Sequence, residues 1–271
     1  MAESSPTTDA PLARALALAS ETLAEAPSGL LTDFDGTLSP IVSDPMLARL
    51  VDGASGALAS LVERLAVVAV ITGRAPLDAR RMTGVPGLLV AGNHGTEWLE
   101  PGEDAPVSAP EASAVRARLD AVLTGLPTLA GVSVEHKVIS ATVHYRNAPD
   151  PAAALPRILA ALGDTAAHGI ELRHGRLSVE LRPTGLGDKG SAARGIVERF
   201  GLRGVVVMGD DVTDLDMFAV VTELRSLGRL RGTIIGVGGG DGEVPASVVE
   251  GSDVVLADPA EAAALLRVLG R

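Results

Sequence analysis

Cysteine is absent from the 271 residues, which excludes disulfides, thiolate nucleophiles and cysteine-ligated zinc. Aromatic residues are scarce at 2%, so Ala, Val and Leu must fill the core, and stacking platforms for single-stranded nucleic acid are missing. Positive charge is in deficit. Lys and Arg number 23 against 34 Asp and Glu, and the net charge of −11 has the wrong sign for a polyanion-binding surface. No uncharged apolar run approaches the ~20 residues of a membrane span. The N-terminal MAESSPTTDAP lacks the basic-then-apolar pattern of a signal peptide. The expectation is a soluble, cytoplasmic monomer that binds neither nucleic acid nor membrane.

What is present is apolar residue at 46%, enough for a sizeable core. Short β-branched runs at 29–32, 67–71, 88–91, 205–208, 233–237 and 253–256 read as parallel strands covered on both faces. Helical spacing falls at 45–65, at 188–200 behind a capping Asp188, and at 259–269. Strand–helix alternation of this kind predicts an α/β fold, a doubly wound parallel sheet joined by right-handed crossovers. The middle of the chain differs. A Gly/Pro/acidic linker at 102–110 leads to a helix at 111–126, then alternating segments at 132–138 and 139–145 that suggest a hairpin. A second helix at 151–162 precedes strands 170–173 and 177–182, with His174-Gly175 as the turn. The prediction is a catalytic core of residues 1–104 and 184–271 carrying an inserted α+β lid, or cap, domain at 105–183.

Ligands of open α/β sheets gather beyond the carboxyl ends of the strands. Four polar clusters follow four predicted strands there: Asp33-Phe34-Asp35-Gly36-Thr37, Thr72-Gly73-Arg74, Gly92-Asn93-His94-Gly95 and Gly209-Asp210-Asp211-Val212-Thr213-Asp214. Asp33 and Asp35, two apart on extended backbone, should point the same way and repel unless a proton or cation intervenes. With Asp210 they supply hard oxygen ligands of the kind magnesium takes. Lys189 opens a helix, where the dipole disfavours a cation, so an anion should lie nearby.

The segments Asp33-Phe34-Asp35-Gly36-Thr37, Thr72, Lys189 and Gly209-Asp210-Asp211 resemble, in order, the four motifs of the haloacid dehalogenase superfamily of phosphatases. The resemblance sharpens to the trehalose-6-phosphate phosphatases through Leu38-Ser39-Pro40-Ile41, Ile71-Thr72-Gly73-Arg74 and Gly92-Asn93-His94-Gly95. In the inserted region Glu135-His136-Lys137, His144-Tyr145-Arg146 and Glu180-Leu181-Arg182-Pro183 carry it. One departure is Leu215, where that family is expected to carry glutamate.

The resemblance implies a hydrolase that splits trehalose 6-phosphate into trehalose and phosphate with Mg2+ as cofactor. Asp33 would be the nucleophile and form an aspartyl-phosphate. Asp35 would protonate the leaving oxygen and then activate water, which requires it to hold a proton near neutral pH. Thr72, by hydroxyl and amide, and Lys189 would hold the phosphate. The metal would sit on the Asp33 carboxylate, the Asp35 carbonyl and Asp210, with Asp211 and Asp214 behind them. Arg74, Asn93 and His94 would meet the substrate, and Glu135, Lys137, Arg146 and Glu180 would bond the distal sugar. His136 and His144 are assigned to structure and Trp98 to packing. Rival readings keep the core and change the substrate (sucrose 6-phosphate, a mannosyl phosphoglycerate, or a phosphohexose in mutase chemistry), or make the chain a silent sugar-phosphate-binding module. Whether a trehalose-phosphate synthase associates is not legible.

Overall fold

The apolar runs become strands because each is flanked on both faces by helices that bury it. In a computed structural model, residues 9–42, 44–108, 112–136, 139–175, 177–184, 187–238 and 244–271 are described. They divide into a core unit, 1–107 with 188–271, and an inserted unit, 108–187.

The core sheet uses β1 (Ser28–Thr32), β2 (Val67–Ile71), β3 (Leu89–Gly92), β4 (Glu97–Leu99) and the short β5 (Val107–Ser108). It returns with β10 (Gly204–Gly209), β11 (Arg231–Val237) and β12 (Val254–Leu256). The order is β12-β11-β10-β1-β2-β3-β4-β5. All pairs from β12 to β3 are parallel, and β4 runs antiparallel to β3. Strands β1, β2, β3 and β10 are buried along their whole length, which explains why they read as unbroken apolar runs rather than alternating ones.

One layer of helices comprises α1 (Asp9–Leu23), α2 (Ala54–Val62) and α9 (Pro259–Leu269). Their Ala15, Ala19, Leu58, Leu61, Leu265 and Leu266 share a cluster with Leu30, Val68, Val70, Val206 and Ile235 of the sheet. On the sheet also pack α3 (Pro76–Thr83), α6 (Lys189–Phe200), α7 (Leu215–Ser226) and α8 (Ala246–Gly251). Asp188 caps α6 as expected, accepting from Ser191 N at 2.7 Å in a capping box. Three readings need correction here. The helix expected at 45–65 spans only 54–62, because Gly53 adopts φ 83, a left-handed turn that stops a helix from running through it. Helices α1, α3, α7 and α8 and strand β4 went unread. Residues 102–110, expected as pure linker, contain β5.

In the inserted unit β6 (Ser133–His136), β7 (Ala141–His144), β8 (Ile170–Gly175) and β9 (Ser178–Pro183) form an antiparallel sheet in the order β6-β7-β9-β8. Helices α4 (Ala112–Thr124) and α5 (Pro151–Leu162) cover one face, through Val115, Leu119, Ile158 and Leu162 against Val143, Val179 and Leu181. His174-Gly175 is not the turn. Both end β8, Gly175 pairs with Ser178, and the connection takes Leu177 into φ 58.

The end of α1 approaches β10 closely. A Cβ on Gly204 would lie 2.0 Å from the Thr22 carbonyl oxygen, while Thr22 and Thr233 hydroxyls bond at 2.7 Å beside it. Gly204→Ala must push α1 off β10. We expect a loss of about 2 kcal/mol in chemical denaturation, in the range of overpacked cores; an unchanged midpoint would show that α1 yields freely.

Candidate active site

Every cluster expected at a strand end reaches the carboxyl edge of the core sheet. A cavity of about 640 Å³ opens there, lined by Asp33, Asp35, Thr72, Gly73, Arg74, His94, Lys189, Asp210, Asp211 and Thr213, with Ile41, Val42, Val244 and Pro245. Its volume suits a small organic molecule.

The floor is ionic and nearly dry. Asp33 follows β1, its amide bonded to the Met208 carbonyl at 2.9 Å. Lys189, first residue of α6, places its ammonium 2.8 Å from Asp33 Oδ1 and 2.6 Å from Asp214 Oδ1, with all three side chains at 6% exposure or less. That is the anionic company its helix-start position demands. Asp214 Oδ2 accepts from the amides of Asp210 and Asp211 at 2.9 and 3.0 Å, which curls the loop after β10 into place.

Carboxylate oxygens of Asp33, Asp210 and Asp214 lie within 4.8 Å of one another. One ammonium cannot neutralise three carboxylates. Burial pushes the Asp33 carboxyl up to about 8; Lys189 opposes this, while Asp214 and Asp210 reinforce it. Burial also lifts Asp210 to about 6 against a hydrogen bond from the Thr37 hydroxyl at 2.9 Å. For Lys189 burial works downward, yet its pairs with Asp33 and Asp214 outweigh it and raise its affinity for the proton.

A hard divalent cation fits this surplus of oxygen and negative charge. The cradle around Asp210 is cut to size. Gly36 sits at φ 77, and a Cβ there would lie 1.9 Å from Asp210 Oδ2. Asp214 is less suited as a ligand than its neighbours, since it is fully buried and both of its oxygens already accept hydrogen bonds. Asp33 and Asp210 line the cavity.

Asp35 lines the same cavity as Asp33 but takes a different partner. Extended backbone ends at Thr32, and the loop folds back with Gly36 N on Ser39 O at 2.7 Å. The Asp35 carboxylate instead receives Arg74 Nε and Nη2, each at 2.6 Å, and the guanidinium also stands 5.4 Å over the Phe34 ring. Arg74, expected on substrate, is thus held on Asp35, and that bond raises its already high pKa. Thr72 gives its amide to the Ala91 carbonyl at 2.9 Å, which leaves its hydroxyl as the group at the cavity.

His94 lines the cavity at φ 59, while Asn93 turns its side-chain amide to Glu97 instead. Asp211 caps the turn 212–214 and is exposed. Leu215 packs toward Gly251, its Cδ2 lying 3.4 Å from where a Cβ there would be. Trp98 is buried and donates to the Gly95 carbonyl at 3.0 Å, a packing role. Thr37 and Gly36, which shape the Asp210 site, went unassigned in the sequence; their place directly after the Asp33–Asp35 pair is the signal that pointed to them.

On the inserted unit, Glu135 and Glu180 share the face of the sheet away from α4 and α5, both lying across from Thr142. His144 is not structural filler. It lies on that same face, its Nε2 2.9 Å from Glu135 Oε2. The alternation was read with His144 on the wrong side, because the pairing of Ser133 with His144 sets the register and no single strand shows it. Arg146 is exposed in the turn after β7, and Lys137 lies outside the described residues.

A profile of the trehalose-phosphatase family matches residues 31–237. A trehalose-phosphate phosphatase of Mycobacterium avium is 39% identical over 201 residues, 70% of this chain and 50% of that protein. An uncharacterized glycosyl hydrolase of Mycobacterium tuberculosis is 41% identical over 202 residues, 70% of this chain and 15% of that protein. The chain therefore spans half or less of these curated relatives. Among solved structures, trehalose-6-phosphate phosphatase of Aspergillus fumigatus superposes with TM-score 0.66 at 25% identity, over 94% of this chain and 97% of that one. The site's motifs fall inside the matched segment, and the chain belongs to the trehalose-phosphatase family.

Proposed function

We propose that the chain hydrolyses trehalose 6-phosphate to trehalose and inorganic phosphate through a phosphoryl group carried on Asp33. The observation behind this reading is the buried contact of Asp33 with Lys189 beside Asp210, at the floor of a cavity that opens at the carboxyl edge of the sheet. Asp33 Oδ1 is held by the ammonium, which positions the other oxygen for in-line attack on phosphorus and keeps the nucleophile's rotamer fixed. Lys189 and the Thr72 hydroxyl face the phosphoryl oxygens.

Magnesium, held by the Asp33 carboxylate, the Asp35 carbonyl and Asp210, would offset the charge of nucleophile and phosphate. Asp214 keeps Lys189 and the Asp210 loop in register. Asp35 gives a proton to the leaving sugar oxygen, then takes one from the water that cleaves the phosphoenzyme. Each of its oxygens accepts one guanidinium N–H bond, which leaves the second lone pair of each for the proton. Glu135 and Glu180 on the polar sheet face of the inserted unit, 105–183 in the sequence reading, are proposed to read the sugar hydroxyls, together with Arg146 in the turn after β7 and, by resemblance, Lys137. Groups of fixed geometry reject a sugar that leaves them unpaired. Nothing favours a silent binding module, since no carboxylate of the site is replaced.

Asp33→Asn should abolish phosphate release, by about 10³-fold or more as for other removed nucleophiles, while circular dichroism stays native; residual turnover near wild type would remove Asp33 from the mechanism. Glu180→Ala should lower kcat/KM for trehalose 6-phosphate about tenfold more than for acetyl phosphate; equal losses would mean that this face does not read the sugar.

The pH dependence of stability has a definite sign. The folded values of Asp33 and Asp210 lie above the ordinary 3.8. Between about pH 4 and pH 8 the metal-free folded chain therefore binds more protons than the unfolded one, and these groups make stability fall as pH rises. In EDTA, Tm should drop from pH 5 to pH 8, and the gain from added magnesium should be larger at pH 8, where fewer protons compete. A gain equal at both pH values would separate the cation from these carboxylates.

A further inference from the structure

The mouth of the cavity is divided by strand order. The polar groups Arg74 and His94 follow β2 and β3, while Ile41 and Val42 follow β1 and Val244 and Pro245 follow β11. Strand β10 lies between β1 and β11, so the two aliphatic pairs flank the loop that carries Asp210. Against a floor of buried ions, Ile41 stands 66% exposed and Val42 39% exposed.

Large aliphatic side chains held open to water within a catalytic cavity call for a partner. The backbone beside them is fixed: Ser39 N bonds to Phe34 O at 3.0 Å, Val51 N to Leu38 O at 3.0 Å, and Val248 N to Pro245 O at 2.9 Å, while Pro40 and Pro245 fix their own φ.

We infer that Ile41, Val42, Val244 and Pro245 form an apolar lip that packs against the C–H face of the phosphorylated sugar ring, and so selects a ring-bearing phosphomonoester over a small one. The inference rests on the phosphatase reading for the place of the phosphoryl group. With phosphorus at Asp33 on the floor, the ester oxygen points outward and its organic group must pass this rim. Aliphatic side chains cannot hydrogen-bond hydroxyls, and they complement the broad C–H face that a hexose ring presents and of which acetyl phosphate offers only one methyl. The lip thereby adds a preference for the ring already at the core unit, independent of any hydroxyl recognition.

Ile41→Ser tests this, since an exposed position tolerates a polar side chain. The ratio of kcat/KM for trehalose 6-phosphate to that for acetyl phosphate should fall about fivefold, as expected for one or two lost aliphatic contacts. The fall should lie in KM for the sugar phosphate, and Ile41→Leu should restore it. Calorimetric titration with trehalose 6-phosphate in EDTA reads the same contact without turnover, and should show a similar loss of affinity. An unchanged ratio, or unchanged affinity in the serine variant, overturns the lip. A wild-type chain that binds trehalose 6-phosphate yet releases phosphate from no ester overturns the phosphatase reading instead, and the titration alone then decides the lip.

Discussion

An excess of buried negative charge governs the core of this protein. Three carboxylates converge on one ammonium in a nearly dry pocket, and folding must hold them there against their mutual repulsion. The fold does so by dividing labour. Asp214 spends its oxygens on Lys189 and two amides, so the loop after β10 cannot relax away. Gly36, left without a side chain, lets the Asp210 carboxylate come close to the loop that follows Asp33. What remains is a surplus of negative charge of the kind a hard cation offsets.

The parallel sheet makes this assembly inexpensive in sequence terms. Four strands ending at one edge deliver side chains from residues 33, 72, 94 and 210 to one cavity without a long-range contact having to be specified for each. The lysine arrives differently, at the start of a helix, where a capping box formed by Asp188 and Ser191 fixes the first turn and therefore the ammonium. A helix start is poor company for a cation in general. It becomes tolerable here only because two aspartates face it.

Much of this was readable along the chain, because strands buried on both faces and polar residues at their ends are local signals. The register of β6 against β7 is not local, and His144 was misread for that reason. Arg74 illustrates the same limit. Its place after β2 is evident, but its pairing with Asp35 depends on how the loop after β1 folds back, which no periodicity records. The helix expected at 45–65 starts late because Gly53, in a left-handed turn, interrupts the acceptable spacing before it. Helix α7 carries buried residues at 217, 218, 220, 221 and 224, a broad band rather than a narrow stripe, so no clean helical face announced it.

The matched segment ends at Val237, and α1, β12 and α9 lie outside it. These elements contribute Ala15, Ala19, Leu256, Leu265 and Leu266 to the layer beneath β1, β2 and β10, the strands that carry Asp33, Thr72 and Asp210. Part of the foundation therefore lies outside the stretch that carries the site residues. A fragment cut to residues 31–237 would keep those residues and uncover the apolar underside that α1, β12 and α9 now bury.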